Sequence, residues 1–312
     1  MGTSKRELVL NCLEGKKHDR VPGSFWHHFP EDKWFSDAAV EAHLSFYRDA
    51  ELDFIKIMEE IRYAFDIKSA KDWSRYIPPR RDAPERKAQL EIIKRVCGEL
   101  SNECLVYTTI FNPLRTAGII VGYDAIEAHI SEDEKAISGA FSAMAESIAE
   151  YAADCISAGA NGIFFSTKGA EKGRFEAGIL ERIVLSPDGY ICRAISERSP
   201  YNILHICGFD TELSHYTEFP AAAVNWDCHS GEYDLITGAK AFPDRVILGG
   251  MQNHDGVLID GTDEEISSAV KEIVSGFGSA DRLIIGANCT LSEDVDYSRL
   301  RTAMRSLPAL DE

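Results

Sequence analysis

Short apolar runs alternate with amphipathic stretches along the chain. The runs are VPGSFWHHF (21–29), DFIKIM (53–58), CLVYTTIF (104–111), GIFFST (162–167), YNILHICG (201–208), AAVNWD (222–227), VILGGM (246–251) and LIIGANC (283–289). Near-continuous apolar strands of this kind predict a parallel sheet buried on both faces. Between them, KAISGAFSAMAESIAEYAADCISAG (135–159) places apolar residues at three- and four-residue spacing and reaches Gly159 as a helix stop. DEEISSAVKEIVSGFG (263–278) predicts a second helix, capped by Thr262 or Asp263, with Glu265 early and glycine at its end. Eight strand–helix alternations predict a closed (β/α)8 TIM barrel. An open doubly wound sheet would put a Gly-rich phosphate loop after the first strand, where this chain has HHFPEDKW. Residues 59–101 break the rhythm. RYIPPRRDAPERK is polar and carries three prolines, which predicts an excursion at the barrel rim before a helix resumes at 85–100. No repeat or linker divides the chain, so residues 1–312 are expected to form one domain.

Composition narrows the class without changing the fold. The chain is 45% hydrophobic and 27% charged, ordinary for a globular protein. No apolar stretch approaches the ~20 residues of a membrane span. The start, MGTSKRELVLNCLEGKK, is charged and lacks the apolar core of a signal peptide, so a cytoplasmic location is expected. A net charge of −18 argues against nucleic acid as a partner. Eight cysteines are too sparse for a disulfide scaffold. Cys12, Cys97, Cys104, Cys155 and Cys192 fall within helical or strand patterns and read as small buried hydrophobes, whereas Cys207, Cys228 and Cys289 stand at or just past strand ends.

Chemistry in such a barrel sits at the C-terminal strand ends. Those ends offer His27 and His28, Glu59 and Glu60, Asn112, Ser166 and Thr167, His205 and Cys207, Asn225, Asp227 and Cys228, Gln252 and Asn253, and finally Asn288 and Cys289. His205 and Cys207 are two residues apart, so on a strand both point to one side. Cys289 closes the eighth strand, and Cys228 is its rival as a third ligand. One histidine and two thiolates suit zinc with a fourth position open, the pattern of a catalytic site. The same residues also admit a plainer reading, a satisfied histidine and two packing thiols.

LHICG, VNWD, RVILGGM and IIGANCTLSEDVDYSRLRTAMRSL together resemble the uroporphyrinogen decarboxylase superfamily, most clearly over residues 200–306. That resemblance implies a TIM barrel and points to two branches. The decarboxylases carry an N-terminal arginine motif and a following aspartate, whereas this chain reads RVPGSFWHHFPEDKW and DFIKIMEE there. Arg115 or the Arg80/Arg81 pair would be a different clamp for a polycarboxylate. The second branch, the methylcobamide:coenzyme M and related corrinoid methyltransferases, binds zinc through H-x-C…C, which His205, Cys207 and Cys289 match position by position.

That branch implies a zinc-activated thiol acceptor attacking a methyl group on a corrinoid. The corrinoid would arrive on a carrier protein, because the chain has no D-x-H-x-x-G-type module. Asp227 would hydrogen-bond a zinc-ligating histidine or orient a substrate, as carboxylates behind metal ligands do, or else cap the following turn. Glu59 or Glu60 would be an exchangeable fourth ligand, or a solvated helix start. His27, His28 and Asn253 would line the pocket, or supply rim polarity. Two other functions remain: a decarboxylase of the uroporphyrinogen type, and a corrinoid- or tetrapyrrole-binding barrel without turnover.

Overall fold

The structure, a computed structural model, describes residues 3–62 and 65–310. Seven parallel strands pair strictly in chain order: β1 Phe54–Ile57, β2 Leu105–Phe111, β3 Gly162–Lys168, β4 Ile203–Cys207, β5 Ala223–Trp226, β6 Val246–Met251 and β7 Leu283–Ala287. They form a curled sheet of the TIM-barrel type. The expected eighth strand, residues 21–29, does not form a ladder. It is an extended segment lying between the two edge strands. Ser24 N donates to Ile285 O (2.9 Å) and Ile285 N to Pro22 O (2.9 Å) on the β7 side, while Asp53 N donates to Gly23 O (3.1 Å) on the β1 side. The sequence explains the irregularity. Pro22 has no N–H to give, and the Gly23 N–H is taken by the Asp53 carboxylate (2.9 Å) rather than by a strand. That carboxylate is buried and also accepts two bonds from Arg20 (2.8 and 2.6 Å), so the segment is anchored through a side chain.

Alternation along the strands sorts side chains into two layers. Trp26, Phe54, Tyr107, Phe164, Ile203, Leu248 and Ile284 fill the interior, with Val9 and Cys12 of the helix Lys5–Leu13 packed among them. Ile55, Ile57, Val106, Ile163, Phe165, Leu204, Val224 and Ile285 face outward into the surrounding helices. Both faces are apolar because both are covered, which is why the strands read as unbroken hydrophobic runs. Cys12, Cys97, Cys104, Cys155 and Cys192 are all buried, as expected. Burial pushes the Cys12, Cys97 and Cys104 thiols up to about 12, which keeps them inert.

Helix Asp263–Phe277 carries the predicted capping box between Thr262 and Glu265 and stops at left-handed Gly278 (φ 79°). The helix expected at 135–159 is the second half of a longer one, Tyr123–Ser157, interrupted at Asp133 (φ −146°, ψ 71°). The excursion after β1 contains a 3-10 turn, Ala70–Arg75, before helix Pro84–Leu100; its residues 63 and 64 lie outside the described residues. Trp73 fixes it by donating to His129 Nδ1 (3.1 Å) and packing edge-on to Phe141. Among the described residues, no helix is long and apolar enough to cross a membrane.

Candidate metal centre

His205 and Cys207 leave β4 on the interior side, and Cys289 follows β7 by two residues. One donor atom from each lies within 4.8 Å of the other two. Cys289 Sγ is 3.3 Å from His205 Nε2 and 4.0 Å from Cys207 Sγ. The edges of a tetrahedral zinc site, built from ordinary Zn–N and Zn–S bonds, are ~3.6 Å and ~3.8 Å. The two distances from Cys289 are therefore close to the edges of a zinc site, and the third donor pair lies within 4.8 Å. His205 is buried while both cysteines are half-buried, so the cluster is accessible on its sulfur side.

The protonation of His205 follows from its neighbour. Asn225 Nδ2 donates to two backbone carbonyls, Leu248 O (2.7 Å) and Ala287 O (3.2 Å). Its Oδ1 must then be the acceptor for His205 Nδ1–H at 2.5 Å. That bond leaves the Nε2 lone pair aimed at the sulfurs, the tautomer a metal ligand needs. The two thiols are set apart by each other. A hydrogen bond from Cys207, with His205 nearby, holds Cys289 well below the usual thiol range although burial opposes it. The same bond and burial push Cys207 up. One proton between two sulfurs is what a divalent cation would replace.

Three of the described cations lie near the two sulfurs. Arg115 donates to Tyr123 Oη (3.0 Å), and Lys168, the register partner of Cys207, donates to Glu171 (2.7 Å). The third, Lys56 on β1, is buried with Nζ 4.1 Å from the Phe164 ring centre and 4.9 Å from that of Trp26. Burial pulls its ammonium down to about 7, while Cys289 and then Cys207 hold the proton on. The sequence carried a signal for it: in DFIKIM, Lys56 shares the interior side with Phe54 and Met58. Asn225 was legible only as a polar strand end.

The other residues singled out from sequence fall in several places. His28 faces the mouth and pairs with buried Glu60 (2.6 Å). His27, one residue earlier, points outward by strand alternation, among Phe29, Phe46 and Tyr297. Its Nδ1–H donates to His28 O (2.7 Å) and its Nε2 accepts from Tyr297 Oη (2.8 Å), and burial pulls it down to about 4. Glu59 likewise faces the outer layer, in a pocket with Arg86, Ile110 and Tyr151, where burial pushes it up to about 7. Neither Glu59 nor Glu60 belongs to the three-residue cluster. Asp227 accepts from Asn288 Nδ2 (2.6 Å) and His229 N (3.0 Å), so it steadies the residue before Cys289, while the bond to the His205 ring comes from Asn225. Asn253 donates to Thr290 O (3.0 Å), bracing the residue after it. Cys228 donates to Asn288 Oδ1 (3.5 Å) and stands apart from the cluster.

Comparison with known proteins agrees with this architecture. The uroporphyrinogen decarboxylase (URO-D) family profile matches residues 35–308. A methyltransferase from Methanosarcina mazei has a similar structure, with TM-score 0.78 and 14% identity, covering 97% of this chain and 98% of that one. A B12-independent methionine synthase from Shewanella sp. W3-18-1 is also similar, with TM-score 0.60, 12% identity and coverage of 92% and 96%. At these identities the likeness shows the fold alone. No curated protein matches. With the profile spanning most of its length, the chain belongs to the uroporphyrinogen decarboxylase family.

Proposed function

We propose that this protein is a zinc-dependent methyltransferase that moves a methyl group from a methylated corrinoid, presented by a carrier protein, to a thiol acceptor. The observation that carries the reading is the convergence of His205 Nε2, Cys207 Sγ and Cys289 Sγ, with Asn225 fixing the histidine tautomer. Zinc held by these three would act as a Lewis acid that strips the proton from an acceptor thiol, whose unperturbed pKa near ~8.5 leaves it mostly protonated at neutral pH. A methylated corrinoid, as co-substrate, would supply the methyl group: the acceptor sulfur would take the methyl carbon, and the electron pair of the broken carbon–cobalt bond would stay on cobalt, taking it from Co(III) to Co(I).

The chain's own residues have separable tasks. Asn225 orients His205. Asp227, through Asn288, and Asn253, through Thr290, hold the backbone on either side of Cys289. Glu60 and His28 give the mouth a polar wall, and buried Trp26 and Phe164 close the interior beneath it. The fold shared with the Methanosarcina mazei methyltransferase supports the reading. A polycarboxylate decarboxylase would need free cationic clamps at the mouth. Here Lys168 is already engaged by Glu171, which leaves Arg115, bonded to the Tyr123 hydroxyl, as a single cation rather than a cluster.

The test is incubation of the zinc-loaded protein with methylcobalamin and a panel of thiols, following the Co(I) corrinoid by absorbance and the thioether by mass spectrometry. Both products should form and should vanish in Cys289→Ser. Decarboxylation of a porphyrinogen by the same preparation, unaffected by chelators and without thioether formation, would overturn the proposal.

A further inference from the structure

Among the described residues, Lys56 is an ionisable side chain inside the barrel that none of the preceding roles uses. It is only 4% exposed and sits between two aromatic rings. Among the described residues, no hydrogen-bond acceptor is engaged by its Nζ. Aromatic faces offset part of the cost of burying an ammonium, but not all of it. An apolar side chain would fill the same space between Trp26 and Phe164 at lower cost, so packing alone does not explain a lysine.

The charge of the metal centre gives it a purpose. With Nδ1–H given to Asn225 and Nε2 given to a metal, His205 would be a neutral ligand. Two thiolates and a divalent cation then sum to zero. An anionic ligand at the open side makes the centre negative inside a low-dielectric barrel, which is unfavourable unless a positive charge lies close by. Lys168 and Arg174 are charge-paired with Glu171 and Glu127, while Arg115 keeps its charge beside the neutral Tyr123 hydroxyl. Among the described residues Lys56 has no such partner, and the anionic groups that hold its proton on are Cys289, then Cys207, then Glu60. It also rests on the ring of Phe164, which packs against the His205 ring at 5.5 Å between centroids.

We propose that Lys56 is a positioning residue whose charge lets an anionic ligand, such as an acceptor thiolate, occupy the open side of the His205–Cys207–Cys289 centre in preference to a neutral one. The inference rests on the zinc reading above. A packing role and this electrostatic role make opposite predictions for ligands of different charge.

The experiment uses the full chain loaded with Co2+, whose visible absorption reports ligand binding without turnover. Azide is the anionic probe and imidazole the neutral one, each titrated into wild type and Lys56→Met at fixed pH and ionic strength. Loss of one nearby unit charge at an effective dielectric of ~20 should weaken azide by about tenfold or more. Imidazole affinity should stay within about twofold. Lys56→Gln should show the same split, which covers the case in which methionine prevents folding. Equal weakening of both probes, or no change in either, would overturn the role of Lys56 while leaving the metal centre standing. Failure of the wild type to take up cobalt or zinc would instead overturn the proposed function, and this inference with it.

Discussion

Replacing Asn225 with alanine should weaken zinc binding more than it weakens the fold as such. The substitution removes three hydrogen bonds at once: the one to His205 Nδ1 and those to Leu248 O and Ala287 O. All three partners lie in the interior, and each polar group left unpaired costs ~1–3 kcal/mol. The carbonyl losses fall on the fold. The Nδ1 loss falls on the metal, because a ring free to rotate or to switch tautomer no longer aims Nε2 at the sulfurs. Removing such an outer partner lowers metal affinity by about 10–100-fold. The assay is competition with a chromophoric zinc chelator, at a temperature where far-ultraviolet circular dichroism shows the variant folded. Leu300→Ala is the control. Leu300 is fully buried on the outer helix Tyr297–Arg305, and truncation there should cost ~2–5 kcal/mol of stability without touching the centre. An Asn225→Ala affinity within twofold of wild type, or an equal fall in Leu300→Ala, would refute the orientation argument.

Cys289→Ser should abolish stoichiometric zinc by elemental analysis, while Cys228→Ser should retain it, because Cys228 bonds Asn288 rather than joining the cluster. Asp188 is buried beside Thr167 and Asn112, and burial pushes its carboxyl up to about 8 despite their hydrogen bonds. Its folded pKa lies above the unfolded value, so it binds a proton the unfolded chain lacks, and stability should fall by up to ~1.4 kcal/mol per unit as pH rises from about 4 to 8. Asp188→Asn should flatten that slope in urea unfolding; an unchanged slope would show that Asp188 does not titrate there. His43 works in the opposite sense. Its Nδ1 donates to Ala39 O, its Nε2 accepts from Met58 N, and burial pulls it down to about 4. Its contribution is complete above pH ~6.5 and is lost as pH falls toward 4, which His43→Gln should diminish in the same unfolding series.

Periodicity made much of this molecule legible. The seven strands and the helix capped by Thr262 lie where apolar runs and capping residues predict them. VPGSFWHHF has a strand's hydrophobicity yet forms no ladder, because Pro22 and the Asp53 carboxylate divert the hydrogen bonds a ladder needs. At the site, two-residue spacing alone pairs His205 with Cys207. Cys289 needed the family resemblance, since no local pattern says which distant cysteine returns to β4. The same alternation that pairs the ligands also separates His27 from His28 and Glu59 from Glu60, with the second of each pair facing the mouth. Asn225 and Lys56 act through partners distant in sequence, Leu248 and Ala287 for one and Trp26 and Phe164 for the other. A polar residue on an interior strand position is the only trace such roles leave in the sequence.

X-ray absorption at the zinc edge tests the central claim most directly. Zinc-loaded protein should show two sulfurs and one imidazole nitrogen, completed by a light atom. Adding an acceptor thiol should replace that light atom with a third sulfur. A zinc site saturated by four protein ligands, or one whose sulfur count stays unchanged with every thiol tested, would contradict a thiol-activating centre built on His205, Cys207 and Cys289.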